Sequence, residues 1–187
     1  MKLETLRDLY IGVLNDLYDA ESRIVKALPK LAKAASSAEL QQGFQEHLEQ
    51  SKGHVDRLEQ VFEDLGIPAK RKKCKAIEGL LEEGKELMEA ESDSEVLDAG
   101  LIAAAQKVEH YEIASYGCVR TYAELLGENE AAALLEQTLE EEKQTDEKLS
   151  QLATSQINIE AKDTATGQQA SIARKHPAVR AKAQGRK

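Results

Sequence analysis

The chain has 187 residues, 41% hydrophobic but only 4% aromatic, with three prolines and no tryptophan, which suits one helical domain with an extension. A formal charge of −9 excludes the body as a binder of nucleic acid or anionic membrane, since either would repel it. Two cysteines are too few for a disulfide framework, and the early acids of MKLETLRDLYIGVLNDLYDAE suit neither a signal peptide nor a membrane span, so a cytoplasmic chain is expected.

A first helix is predicted from about Thr5 to Ala35, with Leu6, Leu9, Val13, Leu17, Ile24, Leu28 and Leu31 along one face. Pro29 falls inside it and should kink or divide it. Ser36-Ser37-Ala38-Glu39 reads as a capping box opening a second helix, whose stripe is Leu40, Phe44, His47, Ser51, His54, Leu58, Val61 and Leu65. Gly66-Ile67-Pro68 ends that helix, and Ala69 to Lys75 forms a basic connector. A shorter helix follows, from about Ala76 to Glu89.

Asp93 or Ser94 caps the next long helix, which runs to Leu126 through Leu97, Leu101, Ala105, Val108, Glu112, Val119 and Ala123 and stops at Gly127. The last long helix spans about Asn129 to Ala153, with Leu135, Thr138, Glu142, Thr145, Leu149 and Leu152 on one face. From Ile157 onward seven Lys and Arg face two acids, a net of +5, which leaves −14 on residues 1–156. This basic tail, residues 157–187, has no sustained apolar stripe and is expected to be disordered. The tail leaves a weak possibility of nucleic-acid contact that the acidic body does not. Four long amphipathic helices with a long second connection predict an all-α, ferritin-like four-helix bundle with an additional short helix in that connection.

Each stripe is interrupted by a polar group. Glu21 lies between Leu17 and Ile24; His47 and His54 lie on the second stripe; Glu112 and, one turn earlier, Glu109 lie on the third; Glu142 lies on the fourth, with Asp146 one turn later on a neighbouring row. A single acid on an apolar face usually snorkels or pairs with a lysine. Several acids converging from every long helix would repel one another, and metal cations remove that penalty. Carboxylate and imidazole donors suit iron first, with manganese or zinc as alternatives. His54 reads as a ligand and His47 as a satisfied core or hydrogen-bonding residue. Glu140 and Glu141 read as a solvated face, and Tyr18, Tyr111, Tyr116 and Tyr122 as core packing.

The segments LYDAESRIVKAL, FQEHLEQSKGHVDRLEQVFEDLG, IAAAQKVEHYEIASYG and TLEEEKQTDEKL together resemble the YciF-like stress proteins, a ferritin-like family related to rubrerythrins, over roughly residues 1–156. The resemblance implies a homodimer, two metal ions, and a role in bacterial stress responses. It also implies that Glu21, Glu109, Glu112 and Glu142 are bridging or terminal carboxylates. The Glu-x-x-His half-site usual in ferritin-like proteins is absent: Gln50 is followed three residues later by Gly53, and Glu142 by Thr145. Gln50 with His54, and Glu142 with Asp146, are each four apart and can face one site. Three functions are therefore open: a dimetal protein reactive toward peroxide or oxygen, a non-catalytic dimer with a structural metal, and an iron store.

Overall fold

Thr5 begins the first helix by reciprocal capping: its hydroxyl accepts from the Asp8 backbone at 3.1 Å, and the Asp8 carboxylate accepts from the Thr5 backbone at 2.9 Å. The computed structural model describes residues 3–164. They form α1 (Leu6–Ala34), α2 (Ala38–Asp64), α3 (Lys75–Glu89), α4 (Ser94–Leu126) and α5 (Asn129–Leu152), with no strand among the described residues. The all-α bundle with a short helix in the second connection is the architecture observed. Helix α1 runs through Pro29 without dividing.

Side-chain contacts fix the topology. At one end Asp98, near the start of α4, accepts from the Ser36 and Ser37 backbone amides at 2.8 and 2.7 Å and from the Ser36 hydroxyl at 2.6 Å. At the other end Arg7 pairs with Glu128 at 2.7 Å. Helix α4 is therefore antiparallel to α1 and parallel to α2, the up–down–down–up order that a ferritin-like crossover produces. The capping box expected at Ser36–Glu39 does not form. Ser37 is the cap, through its hydroxyl to the Leu40 amide, because Ser36 is committed to Asp98.

The basic connector is strapped to α1. The Lys70 and Lys72 amides bond Asn15, Lys72 Nζ lies 2.8 Å from Asp16, Arg71 covers the Tyr18 ring, and the Cys74 amide donates to Asp19 at 2.9 Å. Gly127 ends α4 with φ +78°, a left-handed conformation that favours glycine.

The last helix outruns its expected end. A π-helical turn, Ala153–Ile157, carries the chain into a further helical stretch over 158–164, and Ile157 is only 1% exposed against the core. The boundary drawn at 156 therefore falls inside continuous helix, because Ile157 supplies an apolar anchor beyond Leu152. Residues 165–187 of the expected tail lie outside the described residues.

The apolar core is in two parts. One is built on Ile24, Leu28, Phe44, Ile77, Leu101 and Leu149, the other on Tyr10, Leu14, Leu58, Phe62, Val119 and Leu135. Between them every long helix contributes a polar side chain at the same level.

Candidate metal centre

That middle layer consists of Glu21 from α1, His47 and His54 from α2, Glu109 and Glu112 from α4, and Glu142 from α5, none more than 3% exposed. Their sequence positions follow from helical periodicity, since each replaces an apolar residue at a stripe position between the two core clusters. The donors form two groups. In one, His47, Glu109, Glu112 and Glu142 place one atom each within 4.8 Å of the others; in the second, Glu21, His54 and Glu142 do the same. Glu142 belongs to both.

Individual contacts show which atoms face inward. His54 Nδ1 lies 3.0 Å from Glu142 and 3.3 Å from Glu21, and His47 Nε2 lies 3.2 Å from Glu109. None of these nitrogens makes a well-aligned hydrogen bond. Both oxygens of Glu112, both of Glu142, and one each of Glu21 and Glu109 are likewise buried without a hydrogen-bond partner. Unpartnered buried polar atoms are expensive, and this concentration of them fits a cation, whose bonds to oxygen and imidazole nitrogen would satisfy the set.

The other nitrogen of His54 is fixed from outside. Nε2 lies 3.0 Å from Glu141, whose carboxylate is held by a two-pronged pair with Arg57 at 2.7 and 2.8 Å. A carboxylate behind an imidazole selects the tautomer and leaves the opposite nitrogen free for metal. On the α1 side, the buried Tyr116 hydroxyl donates to Glu21 at 2.6 Å.

The electrostatics follow from crowding. Burial, then the charge of Glu142 and other neighbouring acids, raises Glu109 and Glu112 well above the usual carboxylate range. Burial opposes ionisation of Glu142, but the adjacent His54 imidazolium, 3.0 Å away, holds its carboxyl below the ordinary value. Burial also opposes the His54 imidazolium, yet Glu142 and Glu21 raise it to about 11. His47 is lowered chiefly by burial. Without metal, protons do part of the charge balancing.

Five of the seven residues singled out from spacing meet here: Glu21, His54, Glu109, Glu112 and Glu142. Asp146 stands outside both groups. It lies on the neighbouring row and turns to α4, accepting from Gln106 at 3.1 Å and lying 3.5 Å from His110. Gln50 sits beside the larger group, next to His47, with its amide oxygen accepting from the Thr145 hydroxyl at 3.3 Å. His47, read as a core or hydrogen-bonding residue, stands among the potential donors of the larger group; its place one heptad before His54 on the same stripe was the available signal. Glu141 was read as solvated, and nothing in a run of three glutamates marks the one that meets Arg57.

A four-helix bundle whose core is divided by a buried carboxylate–imidazole layer defines, as a class, a helical-bundle protein with an interior His/Glu group that could hold a metal ion. The model of a family described as a domain of unknown function, DUF892, matches residues 5–162, and the chain belongs to that family. It is 51% identical over 166 residues to Protein YciF of Escherichia coli K12, covering 88% of this chain and all of that one. The crystal structure of the E. coli stress protein YciF superposes with a TM-score of 0.81 at 52% identity, over 83% of this chain and 99% of that chain. YcfI of Rhodopseudomonas palustris superposes at 0.78 and 42%, over 80% of this chain and 95% of that chain. A Xanthomonas campestris protein at 21% identity and 0.71, over 87% and 99%, shares the fold. No helix among the described residues is long and apolar enough to cross a membrane.

Proposed function

We propose that this chain is a homodimeric dimetal carboxylate protein of a bacterial stress response, reactive toward peroxide or oxygen. The observation that carries the reading is the pair of buried donor groups sharing Glu142, with their unpartnered atoms. Glu21, His54 and Glu142 would hold one ion, and His47, Glu109, Glu112 and Glu142 the other; iron fits first, then manganese or zinc. A bound iron pair would supply the two electrons that cleaving one peroxide O–O bond requires. The protein's own groups bind and orient. Glu141, anchored by Arg57, keeps the His54 Nε2 proton outside the site, and Tyr116 steadies Glu21. The apolar clusters above and below close the layer off along the bundle axis.

The test is anaerobic loading of metal-free protein with Fe(II). Two ions per chain and oxidation of two Fe(II) per peroxide, with two protons taken up to form two waters, are expected. Failure to bind metal, by elemental analysis and by melting, would overturn the reading. A second reading, a structural metal in a non-catalytic dimer, is favoured by α2, which brings imidazoles and no carboxylate into the layer; two bound ions that leave peroxide intact would establish it. Gel filtration at twice the 20.6 kDa chain mass separates both from a many-subunit iron store.

A further inference from the structure

A cavity of about 260 Å³ runs from the surface between α2 and α5 to the His47–Glu109 side of the layer. Its walls are Leu40, Phe44, Leu149 and Leu152, and at its inner end His47 Nε2 and Glu109 Oε2 have no hydrogen-bond partner. Hydrogen peroxide and dioxygen are close to water in size, and a passage for either needs room for little more than one molecule. This cavity is much roomier, though below the roughly 300–1,000 Å³ usual for drug-sized ligands.

Gly43 carries the argument further. It lies inside α2, where glycine weakens a helix relative to alanine. A Cβ built on it would meet nothing within 4 Å, so no close packing requires a glycine there. Glu39, Gly43, Glu46 and Gln50 recur at helical spacing on the face of α2 that lines the cavity. A side chain at 43 would project into that opening. The mouth carries Glu39 and Glu46 against Lys148, a balance that disfavours an anionic ligand.

We propose that the cavity binds a small, neutral organic hydroperoxide, its apolar body against Leu40, Phe44, Leu149 and Leu152 and its oxygen end at His47 and Glu109. This rests on the peroxide reading above and names the substrate class for it. The probe is 2-phenyl-2-propanol, the unreactive alcohol corresponding to such a hydroperoxide, titrated calorimetrically into metal-free full-length protein. Saturable binding at millimolar concentration or better is expected, at least tenfold weaker in Gly43→Leu and unchanged in Gly79→Leu, an exposed α3 position with equally open space. Isopropylbenzene, which lacks the oxygen, should bind more weakly than the alcohol. No saturable binding, full affinity in a folded Gly43→Leu protein, or equal affinity for isopropylbenzene would each overturn the proposal. Metal stoichiometry is scored separately. Its failure removes the peroxide reading and the hydroperoxide with it, whereas lost alcohol binding with metal retained removes the hydroperoxide alone.

Discussion

Replacing Glu112 with leucine separates a metal site from an ordinary buried acid. Glu112 is 0% exposed and neither carboxylate oxygen has a partner. Removing an unsatisfied buried polar group recovers about 1–3 kcal/mol, and burying a leucine adds about 1.5–3 kcal/mol less any misfit, so the metal-free variant should gain about 2–4 kcal/mol. For a chain of this size that raises Tm by roughly 4–16 °C. Metal at a thousand times its dissociation constant stabilises by about 4 kcal/mol per site. Wild type should therefore show a larger metal-induced gain than the variant, whose larger group falls from four donors to three while Glu21, His54 and Glu142 are untouched. Melting curves with chelator and with Mn(II) or Fe(II), together with chelator competition reading weaker metal binding in the variant, provide the measurement. If metal shifts neither protein, or if Glu112→Leu destabilises the metal-free form, the reasoning fails.

Replacing Glu141 with alanine frees the His54 ring and should weaken metal binding about 10–100-fold, read by chelator competition; unchanged affinity would mean Glu141 does not orient His54. The raised value of His54, about 11 against an ordinary 6.5, means the metal-free fold holds more protons than the unfolded chain above pH 7. Its stability should therefore fall from pH 7 to 9, while the metal-induced gain grows because protons compete less well for the donors, and melting at both pH values checks the sign. Asp98→Ala removes the acceptor of three hydrogen bonds at the α1–α2 corner and should cost about 2–4 kcal/mol in denaturant unfolding. Its metal stoichiometry should stay at that of wild type.

Periodicity alone determined the helices and the level of the polar layer. Leu17–Glu21–Ile24 and Thr138–Glu142–Thr145 place an acid on a buried stripe whatever the neighbours are, because a helix repeats every 3.6 residues. Glycine at 66 and 127 marked helix ends for an equally local reason, the left-handed backbone each adopts. Which donors meet is a different kind of fact. Stripe position fixes a side chain's direction to within a row, but not whether its atoms reach a shared point or a neighbour on another helix. Asp146 and Glu142 are one turn apart on α5, yet Glu142 reaches the layer while Asp146 meets Gln106 and His110. His47 joins the donors only because α4 brings Glu109 to within 3.2 Å of it. Glu141 becomes the anchor of His54 only because Arg57, on α2, faces it across the bundle. These pairings depend on the rotation and offset of one packed helix against another, which side-chain interdigitation across the whole interface sets and no single segment encodes.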